Sequence, residues 1–185
     1  SDPDPNSSDG HGTAVAGVAA GTGNNSIGVT GAAFGASIAG HRLIACGFSD
    51  STSADALSFH NGDIDIYSNS WGPFDSGNIL DGPGPITIAA IEDSIYNGRS
   101  GLGNIYTWAA GNGLDADDNS NYDGYSNSRY SIAVAAITHY GEQSWYSEPG
   151  ANILVTAHSN GGSPTYEGIT TTDITGCLLY TSPSP

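Results

Sequence analysis

Ile105-Tyr106-Thr107-Trp108-Ala109-Ala110-Gly111-Asn112-Gly113 reads as an apolar strand that runs into a Gly-flanked asparagine turn. A continuous apolar run of this length suits a strand buried on both faces of a parallel sheet. Ile132 to Ile137 and Ile153 to Ala157 have the same character. Upstream, Ile64 to Ser70 gives a strand with period two, and Ala36 to Ile44 reads as a further strand. Helical signals lie among them. One runs from about His11 to Ala20, with Asp9 near its N-cap and Gly21 at its stop. A weaker helix is expected over 53–61, and Pro85 to Gly98 carries Ile88, Ile91 and Ile95 at helical spacing, with proline in the first turn. Strands alternating with helices predict an α/β fold whose site lies at the C-terminal ends of the strands.

Composition narrows the function. The chain of 185 residues is long enough for one domain with a real core, and its apolar residues, 37% of the total, are bunched into short runs. There is no lysine, and Arg42, Arg99 and Arg129 face 19 acidic residues, for a net charge of −16. Phosphate backbones are bound through Lys and Arg, so this balance excludes a nucleic-acid partner. It favours Ca2+, a basic peptide, or solubility in salty surroundings. Two cysteines, Cys46 and Cys177, define no disulfide framework. No apolar run approaches membrane-spanning length, and the signal of an exported protein would lie upstream of Ser1.

The chemistry-bearing stretches are ordered along the chain. Asp9-Gly10-His11-Gly12-Thr13-Ala14-Val15-Ala16-Gly17 sets a histidine at a helix start whose small residues admit close packing. A general base needs one ring nitrogen facing a hydroxyl and the other held in orientation, which such packing can supply. His41, His60, His139 and His158 lack this setting. Asn112, delivered by a strand into its turn, can donate an amide hydrogen bond to a developing oxyanion, although Asn-Gly turns are also common structural elements.

These two motifs resemble the catalytic histidine and oxyanion-hole asparagine of the subtilisin-like serine proteases. Tyr67-Ser68-Asn69-Ser70-Trp71-Gly72-Pro73-Phe74-Asp75, Asp81-Gly82-Pro83, Asn121 to Ser128 and Trp145-Tyr146-Ser147-Glu148 narrow the resemblance to the kexin-like, proprotein-convertase branch. It extends from about residue 9 to residue 176. It implies a subtilisin-like sheet flanked by helices and a partial catalytic domain over residues 1–176; after Gly176 the chain carries no helix signal, and residues 177–185 read as a non-native tail.

Residue by residue, the resemblance implies that Asp75 and Asp123 line an S1 pocket for arginine. Asp81 and Tyr125 help form S4, Asp9 lies near S2, and Ser70, Trp71 and Gly72 pair with the substrate backbone. Asp55 is the nearest stand-in for a further acidic S4 residue. It also implies two calcium sites. One uses the Asn25 side chain with the carbonyls of Gly23, Ile27 and Val29; the other uses Asp75, Asp118 and Glu148 beneath S1. The competing reading is that Asp118 belongs only to the solvated acidic run Asp115–Asp118.

Two family elements are expected to be absent. A catalytic aspartate belongs well upstream of His11, and Asp2, Asp4 and Asp9 stand too close to it. A Gly-Thr-Ser nucleophile opening a long helix belongs soon after Ile169 to Ile174, and Ser163 is a loop residue. The reading is therefore a secreted or cell-surface, Ca2+-dependent, monomeric serine endopeptidase acting after basic residues, present as an incomplete and inactive piece. Without its first strand and serine helix, it is expected to expose apolar sheet surface. The alternatives are a non-catalytic acidic calcium-binding or pseudoprotease module, and an acidic surface or matrix protein.

Overall fold

The computed structural model describes residues 9–44, 47–162 and 165–173. Cys46, Ser163 and everything from Ile174 onward, including Cys177 and the tail 177–185, lie outside the described residues. Four strands, β1 (Ile66–Asn69), β2 (Ile105–Ala109), β3 (Ser131–Ile137) and β4 (Ile153–His158), form one parallel sheet in chain order. Its registers place Asn69 beside Trp108, and Trp108 beside Ala133. The turns following β1 and β2 therefore emerge together at the C-terminal edge of the sheet.

Among the described residues three α-helices accompany the sheet: α1 (Gly10–Ala20), α2 (Asp50–Ser58) and α3 (Pro85–Gly101). The second starts before the expected span because Ser49 and Thr52 form a reciprocal capping box. Pro85 occupies the first turn of α3, where Gly84 offers no side chain as a cap. Asp50 supplies one from a neighbouring helix, its carboxylate accepting from the N–H groups of Ile86 at 3.0 Å and Thr87 at 2.9 Å. These bonds hold the Asp50 carboxyl below its ordinary pKa, the Thr87 hydroxyl contributing most. We expect Asp50→Ala to lower the thermal midpoint at pH 7 by roughly 3–5 °C, measured by circular dichroism. The carboxylate's share of this difference should be fully present above the unfolded carboxylate pKa and be lost as pH falls through the depressed folded value.

Helices α2 and α3 pack on each other and cover one face of the sheet. Leu57, Tyr67, Ile91, Tyr106, Trp108 and Tyr125 form the core there. Tyr67 and Tyr106 stack at 4.8 Å, and Tyr106 donates its hydroxyl hydrogen to the Leu57 carbonyl. Burial, with a smaller contribution from the Asp93 charge, pushes the Tyr106 phenol up to about 12.

The expectation of strands buried on both faces is corrected. Tyr106 and Trp108 are buried, but Ile105 between them and the sheet edge is 44% exposed, and Leu154 of β4 is 71% exposed. The cause is that α1 packs broadly on no strand and lies instead against two loops. Ala32 and Ala33 donate to the carbonyls of Val18 and Ala19, while the Thr171 and Thr172 hydroxyls donate to those of Ala14 and Thr13. Ala36 to Ile44 forms no strand either. Its backbone bonds are local, Ala36 N–H to Ala33 O at 2.8 Å and Leu43 N–H to His41 O at 3.1 Å. Extended chain becomes a strand only through a partner ladder, and among the described residues neither sheet edge pairs with this segment. No helix among the described residues is long and apolar enough to cross a membrane.

Candidate active site

The C-terminal edge of the sheet carries a cluster of acids. One carboxylate oxygen from each of Asp75, Asp118 and Glu148 lies within 4.8 Å of the others. Asp118 and Glu148 are buried, at 8% and 3% exposure, and Asp75 stands at the rim. Backbone donors fix each one. Ser76 N–H reaches Asp118 Oδ2 at 2.7 Å and Asn119 N–H reaches Oδ1 at 2.8 Å. Gly113 N–H reaches Glu148 Oε1 at 3.0 Å, and Asn112 N–H reaches Asp75 Oδ2 at 3.3 Å.

The turn after β2 makes room for this. Gly111 has φ +105°, and a β-carbon there would lie 2.2 Å from Glu148 Oε1; one on Gly113 would lie 2.7 Å from the Asp118 side chain. Sequence reading saw these glycines only as flanks of Asn112. Their second purpose, receiving Glu148 and Asp75 from two other loops, depends on contacts 35 or more residues apart and has no local signal.

Burial and the nearby Asp118 and Asp75 raise the Glu148 carboxyl to about 7. Gathering charge without a cation therefore stores repulsion, which a divalent ion relieves. The cleft beside these acids, about 20 Å³, has room for a single ion or water.

Asp123 lines the same cleft. It is held by Tyr125 N–H at 2.7 Å and raised to about 6, chiefly by burial and in part by Asp75. Its loop pairs with that of Asp81: Asp81 N–H donates to Tyr122 O at 3.2 Å, and Gly124 N–H donates to Asp81 O at 2.7 Å. Gly72 passes above, where a β-carbon would sit 3.1 Å from Asp123 Oδ2. Trp71 anchors that segment. Its carbonyl accepts from Trp108 Nε1 at 2.6 Å, and its ring meets Trp108 and Tyr125 edge-on at 4.8 and 5.0 Å. The structure thus brings together Asp75, Asp81, Asp118, Asp123, Tyr125, Glu148, Asn112 and the segment Ser70 to Gly72.

Other expected residues stand elsewhere. His11 is exposed in the first turn of α1, and no hydrogen bond joins it to Asn112 among the described residues. Asp9 forms an ion pair with Arg42 at 2.8 Å. Asp55 is exposed on α2. In the loop from Gly23 to Val29, the Asn25 side-chain oxygen accepts from Ile27 N–H at 3.0 Å, and Ile27 is 76% exposed.

The Peptidase_S8 subtilase family model matches residues 1–181. The chain is 42% identical over 161 residues to Furin-like protease 1, isoform 1-CRR, of Drosophila melanogaster, covering 87% of this chain and 15% of that protein. It is 44% identical over 165 residues to Proprotein convertase subtilisin/kexin type 6 of Rattus norvegicus, covering 89% and 17% respectively. The chain therefore spans less than a fifth of these relatives' length. Among solved structures it resembles a protease of Pseudoalteromonas arctica, with TM-score 0.63 and 30% identity over 83% of this chain and 44% of that one. A family match along nearly the whole chain, on a parallel sheet of the same architecture, establishes that the chain belongs to the subtilase family.

Proposed function

We propose that the chain is part of the catalytic domain of a secreted, Ca2+-dependent serine endopeptidase that cleaves peptides after basic residues. The carrying observation is the acidic cleft, where Asp123 and Asp75 stand over the buried pair Asp118 and Glu148. A guanidinium meets carboxylates with both charge and bidentate geometry, and the chain has almost no cations of its own to compete.

The donor set of the lower acids fits a hard cation: three carboxylates from three loops, each already oriented by backbone N–H groups. Calcium held by Asp75, Asp118 and Glu148 would neutralise that charge and stiffen the floor of the pocket. In the parent enzyme, His11 accepts the proton of the serine nucleophile and returns it to the leaving amine. The Asn112 side chain, exposed at the end of β2, donates to the oxyanion as the carbonyl becomes tetrahedral. Ser70 to Gly72 offers backbone to an extended substrate.

The test compares the parent protease with the 185-residue chain. The parent should cleave peptides after arginine; Asp123→Asn should lower its kcat/KM for them by about 10²-fold or more, and His11→Ala should abolish turnover. The chain alone should give no turnover above buffer. Cleavage indifferent to Asp123 would refute the basic specificity, and hydrolysis by the pure chain would refute the expectation that it is inactive alone.

A further inference from the structure

A buried polar network joins two of the loops that build the acidic cleft. One loop carries Asp118 and Asp123, and the other carries Glu148. Ser120 and Ser126, on the first, are 0% and 1% exposed. Ser126 Oγ donates to the Ser120 carbonyl at 2.9 Å, and the two hydroxyl oxygens stand 3.0 Å apart. Ser126 has one hydroxyl hydrogen, so in the second of these bonds Ser120 is the donor. From the other loop, Asn152 Nδ2 donates to Ser120 Oγ at 3.0 Å and to the Ser120 carbonyl at 3.3 Å. A carbonyl only accepts, which fixes the end of the amide that faces it. Asn152 Oδ1 has no partner among the described residues, so its NH2 group makes the link. The backbones are joined at the same level: Ser120 N–H reaches Pro149 O at 3.0 Å, and Ala151 N–H reaches Asn121 Oδ1 at 2.8 Å. A β-carbon on Gly150 would lie 2.4 Å from Asn152 Oδ1 and 2.9 Å from Ser120 Cβ, so the glycine lets the loops meet.

The network ends at Asp123. Ser126 Oγ lies 3.3 Å from the Asp123 carbonyl, which also accepts from Asn127 N–H at 2.8 Å. Burial raises the Asp123 carboxyl, while the N–H groups of Tyr125 and Ser126 and the Ser126 hydroxyl act against it. None of Ser120, Ser126 and Asn152 lines the cleft itself.

We infer that Ser126, Ser120 and Asn152 are positioning residues: they clasp the loop of Asp123 to the loop of Glu148 and so hold the Asp123 carboxylate where it can meet a guanidinium. The inference rests on the reading of the acidic cleft given above. Carboxylate and guanidinium pair through two parallel bonds, an arrangement that tolerates little displacement of either partner. Buried hydroxyls bonded to one another and to backbone stiffen the segment that carries them. Ser144 shows the contrast. It is also 0% exposed, yet its hydroxyl has no partner among the described residues and ties no loop to another.

The test titrates the full chain, in calcium buffer at pH 8, with a capped alanine peptide holding one arginine. A second peptide carries citrulline there, which keeps the shape and loses the charge. Partial unfolding weakens both peptides by the same factor, so the ratio of their dissociation constants reports the pocket and not the folded fraction. Calorimetry should show that Ser126→Ala and Asn152→Ala each lower the preference for arginine about three- to tenfold. Ser126→Thr, which keeps the hydroxyl, should preserve the preference. Ser144→Ala, the same truncation of a buried serine outside the network, should leave it unchanged. Asn152→Ala opens the network from its half-exposed side and gives a second route if Ser126→Ala folds poorly. An unchanged ratio in both alanine variants, with Asp123→Asn abolishing it, overturns the inference and leaves the acidic-cleft reading standing. An equal fall in Ser144→Ala also overturns it, since any loosened core would then do the same. No preference for arginine in the unsubstituted chain refutes the acidic-cleft reading and this inference with it.

Discussion

Calcium should raise the thermal midpoint of the chain by about 5–10 °C at pH 8 and change it by no more than about 1 °C at pH 5. The size follows from linkage: an ion at about one hundred times its Kd stabilises the folded state by roughly 2.7 kcal/mol. The pH dependence follows from Glu148. Its folded pKa of about 7 lies above the ordinary 4.5, raised first by burial and then by Asp118 and Asp75. A raised carboxyl stabilises the fold fully below its unfolded pKa, and that stabilisation is lost as pH rises through the folded value. In chelator, stability should therefore fall between about pH 4.5 and pH 7, where calcium begins to compete successfully with the proton. Glu148→Gln should flatten this pH dependence in chelator and blunt the calcium response at pH 8. Equal calcium shifts at pH 5 and pH 8 would show that the ion binds elsewhere.

Gly111→Ala should destabilise the chain by about 2–4 kcal/mol and remove most of the calcium response. Two costs combine. The backbone at φ +105° is strained for any residue with a β-carbon, and that carbon would lie 2.2 Å from Glu148 Oε1. Glu148 must then leave its bond to Gly113 N–H, which dismantles the acid cluster. Gly141→Ala separates the two costs, since it has φ +79° but no atom within 4 Å of the new carbon. It should lose about 1 kcal/mol and keep the calcium shift. If urea melts and calcium titrations make the two variants equivalent, the glycine at position 111 is a matter of backbone conformation alone.

Much of the architecture was legible because it is local. The apolar runs Ile105 to Ala110 and Ile132 to Ile137, and the Pro85 start of α3, carry their own local signals, and all appear as elements to within a residue. Ala36 to Ile44 failed as a strand because its β propensity needs a neighbour that no described strand provides. The both-face burial failed for a related reason: apolarity records what a face can bury, not which helix covers it. Leu154 is as hydrophobic as any core residue and remains in solvent.

The site divides along the same line. Sequence by itself determined the order of motifs, the acidic excess and the Gly-flanked Asn112, because these are properties of residue type and spacing. Only tertiary structure decided that Asp75, Asp118 and Glu148 converge within 4.8 Å, that Gly111 and Gly113 clear space for them, and that Tyr122 borders both a small acidic cleft and a larger one. Those facts arise where loops from separate parts of the chain meet at one sheet edge. Convergence of that kind is set by packing and by the cost of burying like charges together, and no local pattern encodes it.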